Sequence, residues 1–489
     1  MTTIYQVFRN VAETYKEKIF LIENDCSFTF EDVLKIVESW AYYLSEKVGV
    51  KKGDKVCLLM NNQIEFPISL LALNKIGAIF VPLNNRLTPK EIEFMVRTTN
   101  SKVVILNTIF EEKVRGLEGV TKLDASTIRN IKETGVSPLV TEEEAFILFT
   151  SGTTGLPKGV LHTNENGLFY AKVMIKGLGF ERYMKQLIVA PLYHAIGFID
   201  QLLPAIILGE TVVLSNDPTP QGIASLLEKY QIDILLGVPT IFTLLLLSGV
   251  ARKYDFSYVK IFGYAGAPMS SKTIQGLKKT FPHIKLFNFY GSTEVGGTIT
   301  ILDDKYALSH ADTVGKEVEG VEVRILKNGK FVIEEIGEVV TAPRYMKGYI
   351  NADTQKAFYG RYLKMGDLGS IDRDGFLTLY GRIDDMIIVH GENVYPIEIE
   401  RAIIESGVVK EVAVVGKETI LGSQLVCFIS LIEEQDEKEA LEKIKRICKK
   451  KLADFKRPRE FVVLKELPKN PVGKIDKKKL SEMANSLKL

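Results

Sequence analysis

The chain carries the stretch Thr-Ser-Gly-Thr-Thr-Gly-Leu-Pro-Lys-Gly at Thr150–Gly159, directly after the apolar run Ala145–Phe149. The apolar run is typical of a buried strand, so the stretch is predicted to be the loop that leaves it. Glycines let backbone N–H groups turn toward a ligand, and the hydroxyl groups and the lysine add donors, which suits a polyphosphate. The loop is not the common P-loop, because the pattern Gly-x-x-x-x-Gly-Lys-Ser/Thr is absent. An ordinary polar surface turn is the alternative interpretation.

Short apolar runs alternate with helix-like segments on both sides of this loop, between residues 55 and 106 and again between 187 and 289. Such alternation predicts an α/β fold with parallel sheets covered by helices. From about Gly315 the pattern changes to short strands and turns, and Asp374-Gly375 indicates a hairpin. The last hundred or so residues are rich in lysine and predict a separate unit of helices and strands.

We therefore predict two domains, at residues 1–383 and 384–489. No Gly-, Ser- or Pro-rich linker marks the boundary near Arg382–Asp385, which favours a tight hinge over a flexible tether.

The bulk composition argues against several classes of protein. The 489 residues include 63 Lys and Arg against 61 Asp and Glu, a net charge of +2, which does not suggest a nucleic-acid or membrane-surface protein. The four cysteines are scattered, which fits a reducing compartment, and we expect a cytoplasmic protein. The helical periodicity of residues 4–15 does not resemble a signal peptide. The uncharged segment Ile234–Ala251 is better explained as a buried strand followed by a helix with Pro239 in its first turn than as a membrane span.

Further short segments carry side chains suited to a nucleotide. Asn288–Glu294 offers an aromatic ring for a base, a glycine turn, a hydroxyl for a phosphate and a carboxylate for Mg²⁺. Gly263–Pro268 is a strand end of small residues, against which a flat ring fits. Asp367 suits a ribose diol, Arg382 supplies a cation, and Lys474 stands between turn residues before a run of lysines. Each segment alone has an ordinary alternative: a strand-end turn, a surface ion pair or a solvated charged face.

The order of these motifs resembles the adenylate-forming superfamily of acyl-CoA synthetases, firefly luciferases and non-ribosomal adenylation domains. The resemblance extends from Thr150 to Lys474, and Asp385–Val389 with Asn393–Pro396 most resembles fatty-acyl-CoA ligases. It implies a large N-terminal domain of parallel-rich sheets with a distorted β-barrel, and a small mobile α+β C-terminal domain on a hinge at Asp384.

The resemblance also implies a role for individual positions. The phosphate loop corresponds to Thr150, Ser151, Gly152, Thr153, Thr154 and Lys158, and the adenine slot to Tyr290 with Gly266 and Ala267. Further nucleotide-binding positions are Asn288, Phe289 and Gly291. Thr293 corresponds to a phosphate contact, Glu294 to the Mg²⁺ carboxylate, Asp367 with the nearby Arg382 to the ribose site, and Lys474 to the lysine that bridges the substrate carboxylate and the α-phosphate. Gly391 corresponds to the coenzyme A tunnel and His194 to the acyl pocket, where a structural histidine is the alternative.

The implied reaction joins a carboxylic acid to ATP, forming an acyl-adenylate and pyrophosphate, and then transfers the acyl group to coenzyme A. A carboxylate is already ionised at neutral pH, so no general base is required, and Lys474 and Mg²⁺ neutralise the approaching charges. The expected acid is an apolar medium- or long-chain fatty monocarboxylate, because the segments that correspond to the pocket contain no Lys or Arg. These pocket segments are Tyr193–Gln201, Gly237–Phe242, Gly263–Pro268 and Asn288–Gly296, and their apolar side chains include Phe198, Ile199, Val238, Phe242 and Tyr264. Asp200 is the one charge that argues against an apolar acid, because it suits a hydroxyl or an amine.

Several alternatives stay open. One alternative is an aryl acid of benzoate or succinylbenzoate type. Another is an enzyme that passes the acyl group to a carrier protein in place of coenzyme A. An amino-acid adenylation domain usually has an Asp where Tyr193-His194 stands. No feature of the sequence requires a luciferase-like oxygenase. A non-catalytic nucleotide sensor is possible only if Lys474 takes no part in a reaction. The sequence leaves the oligomeric state open, a homodimer included. Met365, where Thr or Ser is usual, and His390, where a small or basic residue is common, depart from the family pattern.

Overall fold

The chain folds into layered sheets and helices, seen in a computed structural model that describes residues 2–131, 135, 137–150, 157–389, 392–419, 422–432, 435–470 and 474–487. The strands are β1 Ile19–Glu23, β2 Cys26–Thr29, β3 Lys55–Leu59, β4 Ile79–Pro82, β5 Val103–Leu106, β6 Thr121–Asp124, β7 Glu144–Thr150, β8 Lys158–Thr163, β9 Lys185–Ile188, β10 Thr211–Leu214, β11 Ile234–Gly237, β12 Ile261–Tyr264, β13 Lys285–Ser292, β14 Gly297–Leu302, β15 Lys316–Glu317, β16 Glu322–Lys327, β17 Lys330–Val332, β18 Gly337–Ala342, β19 Gly348–Tyr349, β20 Phe358–Tyr359, β21 Tyr362–Ile371, β22 Leu377–Arg382, β23 Ile387–Val389, β24 Glu392–Val394, β25 Val409–Thr419, β26 Gly422–Leu431 and β27 Glu460–Val463.

The helices begin at residues that suit a helix N-terminus. Thr88, the predicted cap of α4, accepts a hydrogen bond from the Glu91 backbone at 3.4 Å, and the Glu91 carboxylate accepts one from the Thr88 backbone at 2.8 Å. The α-helices are α1 Ile4–Thr14, α2 Phe30–Tyr42, α3 Glu65–Lys75, α4 Pro89–Thr98, α5 Asn164–Leu178, α6 Ala195–Gly197, α7 Leu203–Leu208, α8 Pro220–Tyr230, α9 Pro239–Leu247, α10 Ser271–Thr280, α11 Pro396–Ile404, α12 Glu437–Lys451 and α13 Lys477–Ser486, and π-helical turns cover Tyr43–Val48 and Phe198–Leu202.

The largest part of the fold consists of two mostly parallel sheets. The first has the strand order β15-β14-β13-β12-β11-β9-β10-β1-β2, and β13, β12, β11, β9, β10 and β1 run parallel. The second has the order β19-β8-β7-β4-β3-β5-β6, with antiparallel pairing only at β19-β8 and β8-β7. The predicted α/β architecture is therefore confirmed.

A third sheet is antiparallel, with the order β17-β16-β18-β21-β20 and β22 on β21. Its two edges approach one another, because the Tyr359 hydroxyl on β20 donates to the Gly329 carbonyl beside β17 at 2.8 Å. This is the distorted barrel that the family resemblance implies. The predicted hairpin joins β21 to β22, and Gly375 has a φ of +85°, which favours glycine.

The uncharged segment Ile234–Ala251 forms β11 and α9, with Pro239 at the start of the helix. Among the described residues, no helix has both the length and the apolar composition needed to cross a membrane. Strand and helix lie instead in the core, where Phe242 packs on Phe262 with ring centroids 5.1 Å apart.

The C-terminal unit has its own core and sheet. Strands β25, β26 and β27 pair in that order, α11 and α12 pack on them, and β23 pairs with β24. Contacts with the larger unit include Tyr395 beside Tyr380, with ring centroids 6.3 Å apart. A large N-terminal unit and a smaller C-terminal one thus match the predicted architecture, and the boundary at 383/384 stays a prediction.

Candidate active site

An exposed surface at Gly266 and Ala267, which we call the ledge, lies where β11 and β12 end beside β13. These parallel strands are in register, with Gly237 opposite Tyr264 and Tyr264 opposite Asn288, so their carboxyl ends share one edge of the sheet. Ligands of open α/β sheets bind at this edge. Gly266 and Ala267 are exposed there. Gly266 has a φ of +83°, and a Cβ built on it would meet nothing closer than a Val238 methyl at 4.0 Å, so the ledge has room for a flat ring.

Tyr290, Asp367 and Arg382 form a hydrogen-bonded group beside the ledge. The Tyr290 hydroxyl donates to Asp367 Oδ2 at 2.6 Å, and Arg382 Nη1 donates to Asp367 Oδ1 at 3.3 Å and to the Met365 carbonyl at 2.8 Å. Asp367 and Arg382 face each other across β21 and β22. Gly366 has a φ of +68°, and a Cβ there would lie 2.8 Å from Arg382 Nη2. The structure therefore brings together the predicted adenine, ribose and cation positions.

Thr293 and Glu294 lie in the turn Thr293–Gly296 that joins β13 to β14. Three successive carbonyl oxygens of this turn are held from three directions. Thr293 accepts from His162 Nε2 at 2.7 Å, Glu294 from the Met346 N–H at 2.7 Å, and Val295 from Asn166 Nδ2 at 2.7 Å. The Glu294 side chain is half-buried, and its Oε1 accepts from the Tyr349 hydroxyl at 3.3 Å.

The described ends of the phosphate loop lie side by side. Thr150 pairs with Lys158 across β7 and β8, and the Lys158 ammonium lies 5.3 Å from the centre of the Tyr349 ring. Asn351 fastens the base of the loop, since it donates to the Pro157 carbonyl at 2.9 Å and accepts from the Gly159 N–H at 3.0 Å. The predicted loop residues Ser151, Gly152, Thr153 and Thr154, like Gly391, lie outside the described residues.

Lys474 reaches the same cleft from the C-terminal unit. Its backbone is closed into a turn, because Asn470 donates to the Lys474 carbonyl at 2.7 Å and accepts from its N–H at 2.9 Å. Lys474 as a whole residue is exposed, but protein surrounds its ammonium group. The pKa of this group is lowered, mainly by burial. Asp367 and Glu294 act to raise the pKa, and Arg382 acts to lower it. Lys474 therefore lies within electrostatic range of the ribose, cation and metal positions.

Lys477 is an anchor that the sequence does not reveal. The sequence places it in a run of lysines typical of a solvated face, and this interpretation is wrong for Lys477. Its ammonium lies 3.3 Å from Asp385 and 3.0 Å from Glu400, so it ties the start of α13 to the proposed hinge and to α11. No spacing in the sequence pairs these three residues, because the contact depends on how the C-terminal unit folds.

Several predicted site residues hold the framework rather than the open ledge. Asn288 is buried and donates to the Thr313 carbonyl at 3.1 Å, and Phe289 is buried in a core cluster. Gly291 is exposed in the ledge, where a Cβ would lie 1.8 Å from the Gly297 carbonyl, so only glycine fits. His194 is half-buried directly before α6, with its ring centroid 4.7 Å from that of Tyr193.

The expected acyl-pocket side chains are mostly packed away. Phe198, Ile199, Phe242 and Tyr264 are buried, and Phe198 packs edge-on against Phe146. Val238, which is 43% exposed, is the member of this set that faces open space.

Asp200 is buried among these residues and faces Thr298, whose hydroxyl donates to it at 3.5 Å. Burial raises the pKa of Asp200 from 3.8 to about 8, and the Thr298 hydrogen bond opposes the shift only in part. At neutral pH the group is therefore mostly protonated. The charge that the sequence places near the pocket is not expressed as a full negative charge.

We expect the thermal stability gained by Asp200→Asn to grow as pH rises from 4 to 8. The folded carboxyl keeps its proton up to about pH 8 while the unfolded one ionises near pH 4, so ionisation favours the unfolded chain by about 1.4 kcal/mol per pH unit in this window. The variant and the wild type should therefore melt at similar temperatures at pH 4 to 5, diverge up to pH 8, and differ by a constant amount above it. A melting-temperature difference that does not change between pH 5 and 8 would contradict a raised pKa.

The donor set suits magnesium held largely by a nucleotide. Within the described residues, no group of three or more His, Cys, Asp and Glu side chains gathers into a metal cage. Mg²⁺ bound to ATP commonly uses one or two protein carboxylates together with phosphate oxygens, and Glu294 supplies one. Contacts connect the charged groups near Glu294: Lys158 lies beside Tyr349, which donates to Glu294, and Arg382 pairs with Asp367. These charges suit a nucleoside triphosphate.

Comparison with known proteins agrees with this geometry. A 2-succinylbenzoate–CoA ligase of Listeria innocua is 33% identical over 460 residues, which cover 93% of this chain and 94% of the relative. A long-chain-fatty-acid–CoA ligase of Mycobacterium tuberculosis is 30% identical over 453 residues, which cover 89% of each chain. The structure of o-succinylbenzoate CoA synthetase of Bacillus subtilis with its acyl-adenylate intermediate superposes with a TM-score of 0.89 at 26% identity, covering 100% of this chain and 99% of that one. The same protein is also known with ATP and a magnesium ion.

The profile of the AMP-binding enzyme family matches residues 8–350, and that of its C-terminal domain matches residues 398–474. These matches cover most of both structural units. The chain therefore belongs to the AMP-binding enzyme family, as an acyl-CoA-synthetase-like member of the adenylate-forming superfamily.

Proposed function

We propose that this protein is an AMP-forming acid–CoA ligase that uses ATP, Mg²⁺ and coenzyme A and takes an aryl acid of the succinylbenzoate type. The observation that supports the chemistry best is the placement of Lys474 within electrostatic range of Asp367, Arg382 and Glu294. A cation delivered from one unit to a nucleotide site on the other is what an attack by a carboxylate on an anionic phosphorus requires.

In the first step, Lys474 lies between the acid and the α-phosphate and offsets the repulsion between them. The carboxylate oxygen forms a bond to the α-phosphorus, the bond from that phosphorus to the bridging oxygen breaks, and pyrophosphate leaves. Lys158 and the hydroxyl-rich loop after Thr150 hold the departing phosphates. Mg²⁺ at Glu294 supplies further positive charge beside them when it is bound.

The nucleoside is oriented by groups already arranged in pairs. Asp367, fixed by Tyr290 and Arg382, is positioned to accept hydrogen bonds from the ribose hydroxyls. The exposed backbone at Gly266 and Ala267 provides a surface for the base. These side chains and this backbone would bind the ribose and the base of the nucleotide. The reaction needs no general base in addition, because the attacking carboxylate is already ionised.

For the second step, we propose that the boundary between the two domains lies at 383/384 and that the C-terminal domain rotates about Asp384. The coenzyme A sulfur then bonds to the acyl carbon and gives its proton to water, the bond from that carbon to the phosphate oxygen breaks, and AMP leaves the thioester. Gly391 would line the path of the pantetheine arm. The four free cysteines, three of them buried, fit the reducing cytoplasm in which such a thiol stays reduced.

The expected medium- or long-chain fatty acid is less well supported than the aryl alternative. Relatives named 2-succinylbenzoate–CoA ligase match at 32% and 33% identity, and the long-chain-fatty-acid–CoA ligase at 30%. The burial of Phe198, Ile199 and Phe242 also narrows the space that a long alkyl chain would need. The absence of Lys and Arg from the pocket segments is the one observation that still favours a monocarboxylate, because a second carboxylate would find no cationic side chain in them.

The test is ATP–pyrophosphate exchange with 2-succinylbenzoate, benzoate, octanoate and palmitate, followed by thioester formation with and without coenzyme A. We expect kcat/KM for 2-succinylbenzoate to exceed that for either fatty acid by at least about tenfold, a difference of 1.4 kcal/mol. The matched control is 4-oxo-4-phenylbutanoate, which lacks only the ring carboxylate. A higher kcat/KM for octanoate or palmitate would contradict the aryl acid and favour a fatty acid as the substrate. Pyrophosphate exchange without thioester formation would favour a carrier protein as the acyl acceptor.

A further inference from the structure

His162 is a fully buried histidine on β8, four residues after Lys158 and on the same face of the strand. Its Nε2 lies 2.7 Å from the Thr293 carbonyl and its Nδ1 lies 3.0 Å from Asn166 Nδ2. A carbonyl only accepts and an amide NH₂ only donates, so Nε2 carries the proton and Nδ1 accepts. The ring stacks on Phe146 with centroids 5.0 Å apart, which fixes its plane.

Asn166 completes this arrangement from the first turn of α5. Its Nδ2 also donates to the Val295 carbonyl at 2.7 Å, so the His162–Asn166 pair holds the two carbonyl oxygens on either side of Glu294. Gly296 closes the turn with a φ of +83°, and a Cβ there would lie 2.7 Å from both Asn166 Nδ2 and His162 Cε1. The turn therefore approaches the pair as closely as glycine allows.

We infer that His162 and Asn166 are positioning residues that fix the Glu294 carboxylate relative to the phosphate loop. This inference rests on the proposed function, because it assigns Glu294 to Mg²⁺·ATP. Strand β8 carries both Lys158, which flanks the phosphate loop, and His162, which holds the turn of Glu294. Strand β8 and the His162 imidazole thus help to set the distance between the phosphate and metal positions, together with Met346 and Tyr349, which hold Glu294 itself.

The effect should appear in metal binding rather than only in stability. Groups that hold the ligands of a metal commonly contribute about 10–100-fold to metal affinity or activity. We expect His162→Leu to raise the Mg²⁺ concentration for half-maximal ATP–pyrophosphate exchange by about tenfold or more. The Kd of Mg²⁺·ATP, measured by calorimetry without any acid, should rise in parallel, while binding of metal-free AMP stays within about twofold of wild type.

His162→Gln retains a side-chain N–H that can reach the Thr293 carbonyl, and it should restore most of the Mg²⁺ dependence. Asn166→Leu should repeat the His162→Leu effect, and it keeps the inference testable where His162→Leu does not fold. The matched control is Tyr170→Phe, which deletes a buried hydroxyl that donates to the Arg344 carbonyl at 2.9 Å and leaves the turn untouched.

The inference is overturned if His162→Leu and Asn166→Leu fold and lower the melting temperature as Tyr170→Phe does, without a change in the Mg²⁺·ATP Kd. Failure of the proposed function looks different. In that case the wild type itself neither binds Mg²⁺·ATP nor exchanges pyrophosphate with any acid of the panel.

Discussion

Replacing Lys474 by glutamine is expected to slow ATP–pyrophosphate exchange by about 10²–10³-fold, because a donor aimed at developing charge contributes roughly 2.7–4 kcal/mol. Glutamine keeps a hydrogen-bond donor of similar length and loses the positive charge. The loss should fall on kcat, since the ammonium group acts on charge that accumulates as the carboxylate and the α-phosphate approach. KM for ATP should change little, because the residues that we propose to bind the nucleotide, Asp367, Lys158 and Gly266, are unaltered.

The matched control for this variant is Lys469→Gln, which removes the same charge from the same loop. Lys469 pairs with Glu411 of its own unit, so exchange should stay within about twofold of wild type. Thioester formation from a preformed acyl-adenylate should also survive Lys474→Gln, since that step transfers an acyl group to a thiol. Unchanged exchange in Lys474→Gln would mean that Lys474 takes no part in the first step, whereas nucleotide binding without any exchange in the wild type would favour a nucleotide sensor over a ligase.

Local sequence patterns predict the parallel core well because its central strands, such as β11 and β12, are buried on both faces. The apolar runs that end at Gly237 and Tyr264 allow few other structures, and Pro239 marks the start of α9 in the sequence as in the structure. The family resemblance adds the barrel, whose closure through Tyr359 and Gly329 no single pattern indicates. Fold class therefore follows from local burial together with motif order.

The candidate site is less accessible to sequence reasoning, because its parts meet only after folding. The motifs place Tyr290, Asp367 and Lys474 in the same cleft, but they do not separate ligand-facing from framework residues. Phe289 alternates with Tyr290 along β13, so it points into the core while its neighbour faces the cleft. Lys477 and His162 lie beside motif residues without matching any motif, and each is defined by partners many residues away.

The acyl pocket is the part that the sequence predicts least. Counting apolar residues in the pocket segments suggests a long apolar channel, yet most of those side chains fill the core. Asp200 likewise reads as a charge in the sequence, whereas burial keeps it mostly protonated at neutral pH. Composition of a segment does not indicate which face of it is open, and this limits any prediction of the acid.

Asp367→Asn is expected to raise the Kd for AMP by about 10–100-fold, since hydrogen bonds to a charged group contribute roughly 1.5–3 kcal/mol each. The Asp367 carboxylate accepts from Tyr290 at 2.6 Å and from Arg382 at 3.3 Å, and its two oxygens can accept further hydrogen bonds from a ribose. Asparagine keeps one acceptor oxygen and loses the negative charge. Calorimetry with AMP measures this loss without requiring the acid. The control is Tyr290→Phe, which removes one hydrogen bond and leaves the carboxylate in place, so it should weaken AMP binding by less than about tenfold.

The same substitution should also change the pH dependence of the first step. Burial lowers the pKa of Lys474, the Asp367 carboxylate raises it, and Arg382 lowers it. Without the carboxylate, burial and Arg382 still lower the pKa and Glu294 alone opposes them among these groups, so the ammonium group loses its proton at a lower pH. We therefore expect the alkaline limb of ATP–pyrophosphate exchange at saturating ATP to move to lower pH in Asp367→Asn and to stay in place in Tyr290→Phe. An unmoved limb in Asp367→Asn, combined with the expected loss of AMP binding, would mean that Asp367 binds ribose without tuning Lys474.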